Sequence, residues 1–167
     1  MTPTPAAIRP AGPDDIALLP ALEAAADRAF ENINRGPLPP PGELADLTHA
    51  HHLLVTGTPP IGFARLETID GHAHLEQLSV HPTHARQGAG TALLLAACRW
   101  AADQGHPTIT LCTFADVPWN APFYARHGFT PIPDTELTPG LRALRLREQE
   151  LGLDALGERT AMAKTLP

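Results

Sequence analysis

One stretch of the chain, residues 75–91, decides the fold, and it reads Leu75-Glu-Gln-Leu-Ser-Val-His-Pro-Thr-His-Ala-Arg-Gln-Gly-Ala-Gly-Thr91. Its first six residues predict a β-strand, Pro82 predicts a turn, and the glycines predict a loop that opens directly into a helix. The first amides of a helix have no intrahelical acceptors, and the helix dipole places partial positive charge there. Glycine also lets a phosphate approach the backbone closely. The stretch therefore predicts a site for a cofactor that carries a pyrophosphate.

Length and composition limit the classes of protein to which the chain can belong. The 167 residues suit one domain with a sizeable core, and 43% of them are hydrophobic and 18% charged. A net charge of −6 argues against nucleic acid as the main partner. No apolar run approaches the roughly 20 residues that span a bilayer. We therefore expect neither a nucleic-acid nor a membrane partner.

The N-terminus and the cysteines indicate the compartment. Residues 1–5 read Met-Thr-Pro-Thr-Pro and lack the charged and apolar regions of a signal peptide. Two cysteines, Cys98 and Cys112, do not make a disulfide framework. We expect a cytoplasmic protein with free thiols.

Hydrophobic periodicity predicts the elements on both sides of the central stretch. The predicted strands cover residues 6–10, 52–56, 61–68, 73–80, 108–114, 129–132 and 159–166. The predicted helices cover 43–50, 88–104, 121–127 and 139–151, and a further one begins at Asp14 or Asp15 with an apolar stripe to Phe30. A hairpin turn is predicted at Asp70-Gly71, and residues 36–42 predict a proline-rich loop. This order of elements predicts a mixed sheet flanked by helices.

We predict a single domain over residues 1–167, with a helical insertion at about residues 136–152 before the last strand. The charged residues of that insertion predict a solvated helix face, and its leucines are a candidate dimer contact. The region from residue 133 to 156 contains no motif that assigns it a role.

Two other phosphate-binding motifs fit the glycine loop poorly. A dinucleotide fingerprint needs a third small residue at position 93, which is Leu93, and it normally lies in the first β-α unit of a parallel fold. A P-loop needs a lysine followed by Ser or Thr after the second glycine, and none is present.

The stretch resembles the acyl-CoA loop of the GNAT superfamily of N-acetyltransferases, in which a strand ends in Val-x-Pro and is followed by [Gln/Arg]-x-x-Gly-x-[Gly/Ala] and a helix. The matching residues are Val80-His81-Pro82 and Ala85-Arg86-Gln87-Gly88-Ala89-Gly90. Ala85 departs from the pattern, because the basic residue stands next to it at Arg86. A second run is similar to the family's Asn…Phe-Tyr-x-x-x-Gly-Phe segment: Asn120-Ala121-Pro122-Phe123-Tyr124-Ala125-Arg126-His127-Gly128-Phe129.

The resemblance implies an α/β fold with a mixed, mostly antiparallel twisted sheet of about six to seven strands. It also implies an enzyme that transfers an acetyl group from acetyl-CoA, its co-substrate, directly to a primary amine. The alternative is a non-catalytic acyl-CoA-binding or sensor module on the same fold. The acceptor remains open among polyamines, amino acids, antibiotics, peptide N-termini and lysine side chains.

The resemblance further implies two groups of cofactor-binding residues. The main chain near the end of the fourth strand faces the thioester and pantetheine, at Leu78, Ser79 and Val80. The loop and helix start hold the pyrophosphate, at Arg86, Gln87, Gly88, Ala89, Gly90 and Thr91. Asn120 is a further candidate cofactor contact, although it could equally be the N-cap of the following helix.

Acetyl transfer to an amine sets the catalytic roles. An alkyl ammonium has a pKa near 10 and must lose a proton before attack, and the departing thiolate benefits from a proton. By resemblance, Tyr124 is the candidate acid for the CoA sulfur. Glu76 is the first candidate base and His74 the second, because both share a strand face with Leu78. Solvated strand residues, with a water chain as the proton path, are the alternative.

The segment between the first two helices of the resembled fold lines the acceptor site, which makes Phe30, Asn32 and Asn34 candidate substrate-binding residues. A rigid surface loop is the alternative.

Nine histidines do not predict a metal site, because no cysteine pair or carboxylate accompanies them at ligand spacing. Cys112 would be a nucleophile in an acyl-cysteine mechanism, but a small buried hydrophobe is favoured.

Overall fold

The computed structural model describes residues 7–41 and 43–167. Three predictions touch residues outside this part: the absence of a signal peptide in residues 1–5, Ala6 at the start of the first strand, and Gly42 at the end of the proline-rich loop. The described strands are β1 (Ile8–Pro10), β2 (His52–Thr56), β3 (Gly62–Ile69), β4 (His72–Val80), β5 (Thr108–Phe114), β6 (Thr130–Ile132) and β7 (Arg159–Thr165). The α-helices are α1 (Pro13–Ile16), α2 (Leu19–Asp27), α3 (Leu44–Thr48), α4 (Ala89–Asp103), α5 (Ala121–Arg126), α6 (Pro139–Glu150) and α7 (Leu153–Leu156).

The strands form one seven-stranded sheet in the order β1-β2-β3-β4-β5-β7-β6. Strand β4 pairs with β5 in parallel, whereas β1–β2, β2–β3, β5–β7 and β6–β7 pair antiparallel. The parallel register joins Ala73–Leu75 of β4 to Ile109–Leu111 of β5, and β4 continues to Val80. The predicted mixed, mostly antiparallel sheet with flanking helices is confirmed.

The described residues fall into two compact units. The residues up to Glu67 together with Glu76–Trp100 form unit 1, and Thr68–Leu75 together with Ala101–Pro167 form unit 2. Unit 1 has a core of buried side chains from α2, α3, β2 and β3: Leu19, Leu22, Leu47, Leu53, Val55 and Phe63. Unit 2 buries Leu137, Leu141 and Ala161 against Ile69, Cys112 and Ile132. One domain over residues 1–167 stays a prediction.

The residues predicted to form turns adopt the backbone conformations that those turns require. Asp70 (φ +52°) and Gly71 (φ +78°) both adopt positive φ, as a two-residue Asp-Gly hairpin turn requires. Gly105 (φ +84°) ends α4, where His106 N–H donates to the Ala101 carbonyl at 3.0 Å. The predicted hairpin and helix end are confirmed.

The long first helix was predicted wrongly as one continuous element. It divides into α1, α2 and a 3₁₀ helix, Arg28–Ile33. Pro20 lies in the first turn of α2 and has no N–H. It therefore cannot donate the hydrogen bond to the Ile16 carbonyl that one continuous helix would need. Asn34 then ends the 3₁₀ helix in a left-handed conformation, with φ +58°. Within the described part of the chain, no helix is both long and apolar enough to cross a membrane.

Candidate active site

The loop before α4 has an unusual backbone. Gly88 has φ +88°, and Arg86, which is not a glycine, has φ +62°. An L residue in this region costs roughly 1–2 kcal/mol, so the surrounding turn must hold Arg86 there. Ala92 N–H donates to the Gly88 carbonyl at 3.0 Å, so residues 88–91 form the open N-terminal end of the fifteen-residue helix α4.

The turn that leads into this loop is fixed by His81. The His81 N–H donates to the Ile61 carbonyl at 2.8 Å, and its Nδ1 accepts from the Thr83 N–H at 3.2 Å. Gly62 allows close packing beside it, because a Cβ at Gly62 would lie 3.0 Å from the Ser79 carbonyl oxygen. The end of β4 is therefore tied to the start of β3 in unit 1.

The cofactor candidates on β4 differ in burial. Ser79 is buried and its Oγ accepts a hydrogen bond from Gln77 Nε2 at 2.8 Å, whereas Leu78 and Val80 are half-buried. Main-chain groups alternate between the two edges of a strand. Because His81 N–H is directed to β3, the main-chain groups of Leu78 and Val80 are expected at the opposite edge of β4. The sequence did not distinguish these residues from Ser79.

Tyr124, the candidate acid, lies in unit 2 on α5. Its side chain is 8% exposed and contacts the rings of Phe123 and Phe129 edge to face, with centroids 5.2 and 5.8 Å away. Burial raises the pKa of the Tyr124 phenol, and the positive charge of Arg159 acts in the opposite direction. The phenol is therefore protonated at neutral pH, the state that a proton donor needs.

Asn120 stands at the N-cap position of α5, and its carbonyl accepts from Tyr124 N–H at 3.0 Å. Its side chain makes no capping hydrogen bond. The simple capping role left open by the sequence therefore does not use the Asn120 amide, and its contact with a cofactor stays a prediction.

The two candidate bases have different surroundings. His74 is 1% exposed in unit 2, with Nδ1 2.8 Å from Thr110 Oγ1, and burial lowers its pKa to about 4. At that pKa His74 is neutral near pH 7 and a weak acceptor for a proton from an ammonium group. Glu76 is half-buried in unit 1. His74 is therefore the less suited of the two to take that proton, and Glu76 as the base stays a prediction.

The predicted acceptor-binding residues lie in and just after the 3₁₀ helix of unit 1. Phe30 is 9% exposed, while Asn32 and Asn34 are exposed. Sequence reasoning missed Asp27, the last residue of α2, whose pKa is raised by burial to about 6. Periodicity could have found it, because Asp27 lies eight residues after the fully buried Leu19 and shares its helix face.

The C-terminal helices hold a cluster of charges that the sequence placed in solvent. That prediction is wrong for Glu148 and Arg145, whose side chains are 11% and 13% exposed. Glu148 Oε1 accepts from Arg145 Nη1 at 2.6 Å, and its Oε2 accepts from Arg159 Nη2 at 2.6 Å. Arg145 also bonds Asp154 of α7 at 2.8 Å. Ion pairs within unit 2 therefore join the predicted helical insertion to β7.

The candidate nucleophile Cys112 and the histidines considered as metal ligands make ordinary structural contacts. Cys112 packs beside Leu137 and Leu141 in the apolar cluster of unit 2. His52 stacks on Trp100 with ring centroids 4.8 Å apart, and His51 meets the same ring edge-on. Residues 7–41 and 43–167 contain no group of three or more His, Cys, Asp or Glu side chains placed to hold a metal ion.

Comparison with known sequences defines the class of protein. The sequence pattern of the Acetyltransferase (GNAT) family matches residues 20–129. The uncharacterised N-acetyltransferase YjcF of Bacillus subtilis (strain 168) is 29% identical over 97 residues, which are 58% of this chain and 67% of YjcF. The chain belongs to the GNAT family of acetyltransferases and is an acyltransferase.

Solved structures of low sequence identity share the fold. Rv2747 of Mycobacterium tuberculosis, solved in complex with CoA, has a TM-score of 0.70 and 20% identity, over 96% of this chain and 99% of that one. PaiA N-acetyltransferase of Thermoplasma acidophilum, also solved with coenzyme A, has a TM-score of 0.65 and 16% identity, over 95% and 98%.

Proposed function

We propose that the chain transfers an acetyl group from acetyl-CoA directly to a primary amine of an acceptor. One observation carries the choice of donor: the loop at Arg86 and Gly88 has positive φ angles and opens into the N-terminus of the long helix α4. Amides at such an end attract a pyrophosphate. The similar structures of Rv2747 and PaiA, both solved with CoA, support the same donor.

The acetyl end of the donor extends along β4 in this proposal. From the alternation of main-chain groups, those of Leu78 and Val80 are expected at the edge of β4 away from β3, and the register with β5 covers only Ala73–Leu75. Backbone groups at that edge are suited to pair with the pantetheine amides. A main-chain N–H there would donate to the oxygen that becomes negative when the thioester carbonyl is attacked.

Two side chains carry the proton transfers. Glu76 takes a proton from the acceptor ammonium, directly or through water, and the resulting neutral amine attacks the thioester carbonyl. The added nitrogen loses its second proton to water, the carbon–sulfur bond breaks with its electron pair on sulfur, and Tyr124 gives its phenolic proton to that sulfur; the phenol regains a proton from solvent. The raised pKa of Tyr124 keeps its phenol protonated near pH 7, so the proton is present when the sulfur leaves, but it also makes transfer of that proton to the thiolate less favourable.

Release of CoA thiol tests the proposal. Acetyl-CoA is offered with polyamines, amino acids, aminoglycoside antibiotics, peptides with free N-termini and lysine side chains. We expect release with at least one amine, and a kcat about 100-fold lower in Tyr124→Phe with the KM for acetyl-CoA unchanged. If acetyl-CoA binds but no amine causes release, the chain is a sensor module instead.

Direct transfer is tested separately with Cys112→Ala. Because Cys112 packs in an apolar cluster, we expect this variant to keep its activity and the wild-type protein to gain no acetyl mass in the absence of amine. An acetylated wild-type chain together with an inactive Cys112→Ala would show an acyl-enzyme mechanism.

A further inference from the structure

His81 fixes the turn between β4 and the glycine loop with both its main chain and its side chain. Its N–H donates to the Ile61 carbonyl at 2.8 Å, and its carbonyl accepts from the His84 N–H at 2.8 Å. Its backbone is extended, with φ −58° and ψ 135°, and it occupies the N-cap position of a short 3₁₀ helix, Pro82–His84. One residue of unit 1 therefore joins the end of β4, the start of β3 and the turn before the loop.

The His81 ring makes the capping hydrogen bond of this short helix. Its Nδ1 accepts from the Thr83 N–H at 3.2 Å, and Thr83 Oγ1 lies 2.8 Å from the same nitrogen. A neutral imidazole has one ring nitrogen that accepts, whereas an imidazolium has two donors and no acceptor. The bond from the Thr83 N–H therefore exists only while Nδ1 carries no proton. A proton at Nδ1 would leave only a bond to Thr83 Oγ1, with the ring as the donor.

The capped turn leads directly into a strained part of the backbone. Arg86 lies two residues after the 3₁₀ helix and has φ +62°, and Gly88 has φ +88°. An L residue avoids this region unless the surrounding turn holds it there. A loop that samples other conformations must be ordered when its ligand binds, which lowers the apparent affinity. Loss of the cap at His81 should therefore weaken the binding of a ligand by the loop.

The other ionisable groups near His81 lie on the same turn. The His84 ring is 6.4 Å from the His81 ring, edge to face, and Arg86 is exposed. The neighbouring segments contain no ionisable side chain: residues 57–61 before β3, residues 77–80 of β4, and residues 87–92 at the start of α4. His81 is therefore the ionisable side chain whose proton would break a hydrogen bond within this turn.

We propose that His81 is a positioning residue for the pyrophosphate loop and makes the affinity for acetyl-CoA depend on pH, because only its neutral ring caps the turn. The inference rests on the proposed function, in which the amides of residues 86–91 bind the pyrophosphate. Loss of an N-cap acceptor shifts an equilibrium about fivefold. As the pH falls from roughly 8 to 5, imidazoles gain a proton. The loop then loses its cap, and the cofactor binds more weakly.

Two substitutions at position 81 separate the cap from the charge of the ring. Asparagine accepts the same N–H at an N-cap without titrating, and alanine offers no acceptor. The ligand is dephospho-CoA, which has the pyrophosphate but lacks the 3′-phosphate, whose own ionisation changes in this pH range. Calorimetric titrations at about pH 8 and about pH 5.5 give Kd for the wild type, His81→Asn and His81→Ala.

Each comparison is made at one pH, so that general changes in the charge of the protein cancel. At the higher pH we expect the wild type and His81→Asn to bind dephospho-CoA equally. At the lower pH the wild type should bind about three- to fivefold more weakly than His81→Asn. His81→Ala should bind more weakly than His81→Asn by a similar factor at both pH values.

A matched control removes the neighbouring imidazole. His84→Asn leaves the His81 cap in place, so the affinity of this variant for dephospho-CoA should change with pH as that of the wild type does. If the pH dependence disappeared in His84→Asn and persisted in His81→Asn, His84 would be the titrating group and the inference would be wrong.

Two further outcomes would overturn the inference. Equal binding by the wild type and His81→Asn at both pH values would refute the role of the neutral ring. Tighter binding by the wild type at the lower pH would show that the imidazolium attracts the pyrophosphate instead. If His81→Ala does not fold, the wild type and His81→Asn decide the matter alone. A wild type that binds neither dephospho-CoA nor acetyl-CoA at either pH would refute the proposed function, whereas binding without the predicted difference refutes the inference alone.

Discussion

Replacement of Gly90 by aspartate should separate the stability of the protein from its affinity for acetyl-CoA. Gly90 is the second residue of α4, and a Cβ there would meet only Val80 Cγ2, at an ordinary 3.8 Å. The side chain therefore fits without strain. A carboxylate in the first turn of a helix stabilises it by about 0.3–1 kcal/mol. We therefore expect Gly90→Asp to be at least as stable as the wild type.

The same carboxylate would face a bound pyrophosphate. The carboxylate carries one negative charge and the pyrophosphate of CoA carries two. At about 5 Å, with an effective dielectric constant of about 60, they repel by about 2 kcal/mol, or roughly thirtyfold in Kd. The neutral variant Gly90→Asn has nearly the same shape and is the matched control. Calorimetric titration with CoA should show weaker binding by Gly90→Asp alone, and the gap between the two variants should narrow as salt is added.

Equal CoA affinities of Gly90→Asp and Gly90→Asn at low salt would refute the assignment of the pyrophosphate to this loop. A thermal unfolding measurement on the same samples separates the two effects. If Gly90→Asp were instead much less stable than Gly90→Asn, the helix would not begin where the structure places it.

Three further outcomes follow from other parts of the chain. Because burial raises the pKa of Asp27 to about 6, the wild type should lose stability as the pH rises from about 4 to 6, and Asp27→Asn should not. Solvent screens this partly exposed carboxylate, so by pH 7 the variant should be more stable in denaturant unfolding by on the order of 1 kcal/mol; parallel pH profiles would contradict this. Gly140→Ala should lower the free energy of unfolding by about 1–3 kcal/mol, because the new Cβ would lie 2.6 Å from Ile69 Cγ2. Tm should fall accordingly, and an unchanged Tm would contradict the close packing of α6 on the β3–β4 turn. Asn32→Ala should change the acceptor KM and leave CoA affinity unaltered; weaker CoA binding instead would remove this residue from the acceptor site.

Local chemistry made most of the fold predictable. The apolar run in residues 52–56 and the alternation of residues 108–114 predicted strands with the observed bounds, and the Asp70-Gly71 pair predicted the hairpin. Such features depend on neighbouring residues only, so one sequence contains them. The prediction of one long first helix was wrong because the apolar stripe continues past Pro20, whereas the helical hydrogen bonds of the backbone do not.

The site was predictable only where a motif marks it. The glycine loop and the segment around Tyr124 are short and local, whereas the Glu148–Arg159 pair joins α6 to β7 and exists only once the strand register has set Arg159 beside Phe114. Charges spaced along a helix indicate a solvated face until tertiary contacts bury one of them. Asp27 could have been found from its place on the buried side of α2, but a carboxylate is ordinarily expected in solvent, so its burial was not predicted.

The most direct test of the central claim is a crystal structure of the chain with CoA. We expect the pyrophosphate over the backbone amides of residues 86–91 and the pantetheine along the edge of β4 at Leu78 and Val80. A pyrophosphate bound anywhere else would contradict the assignment of the cofactor to this loop.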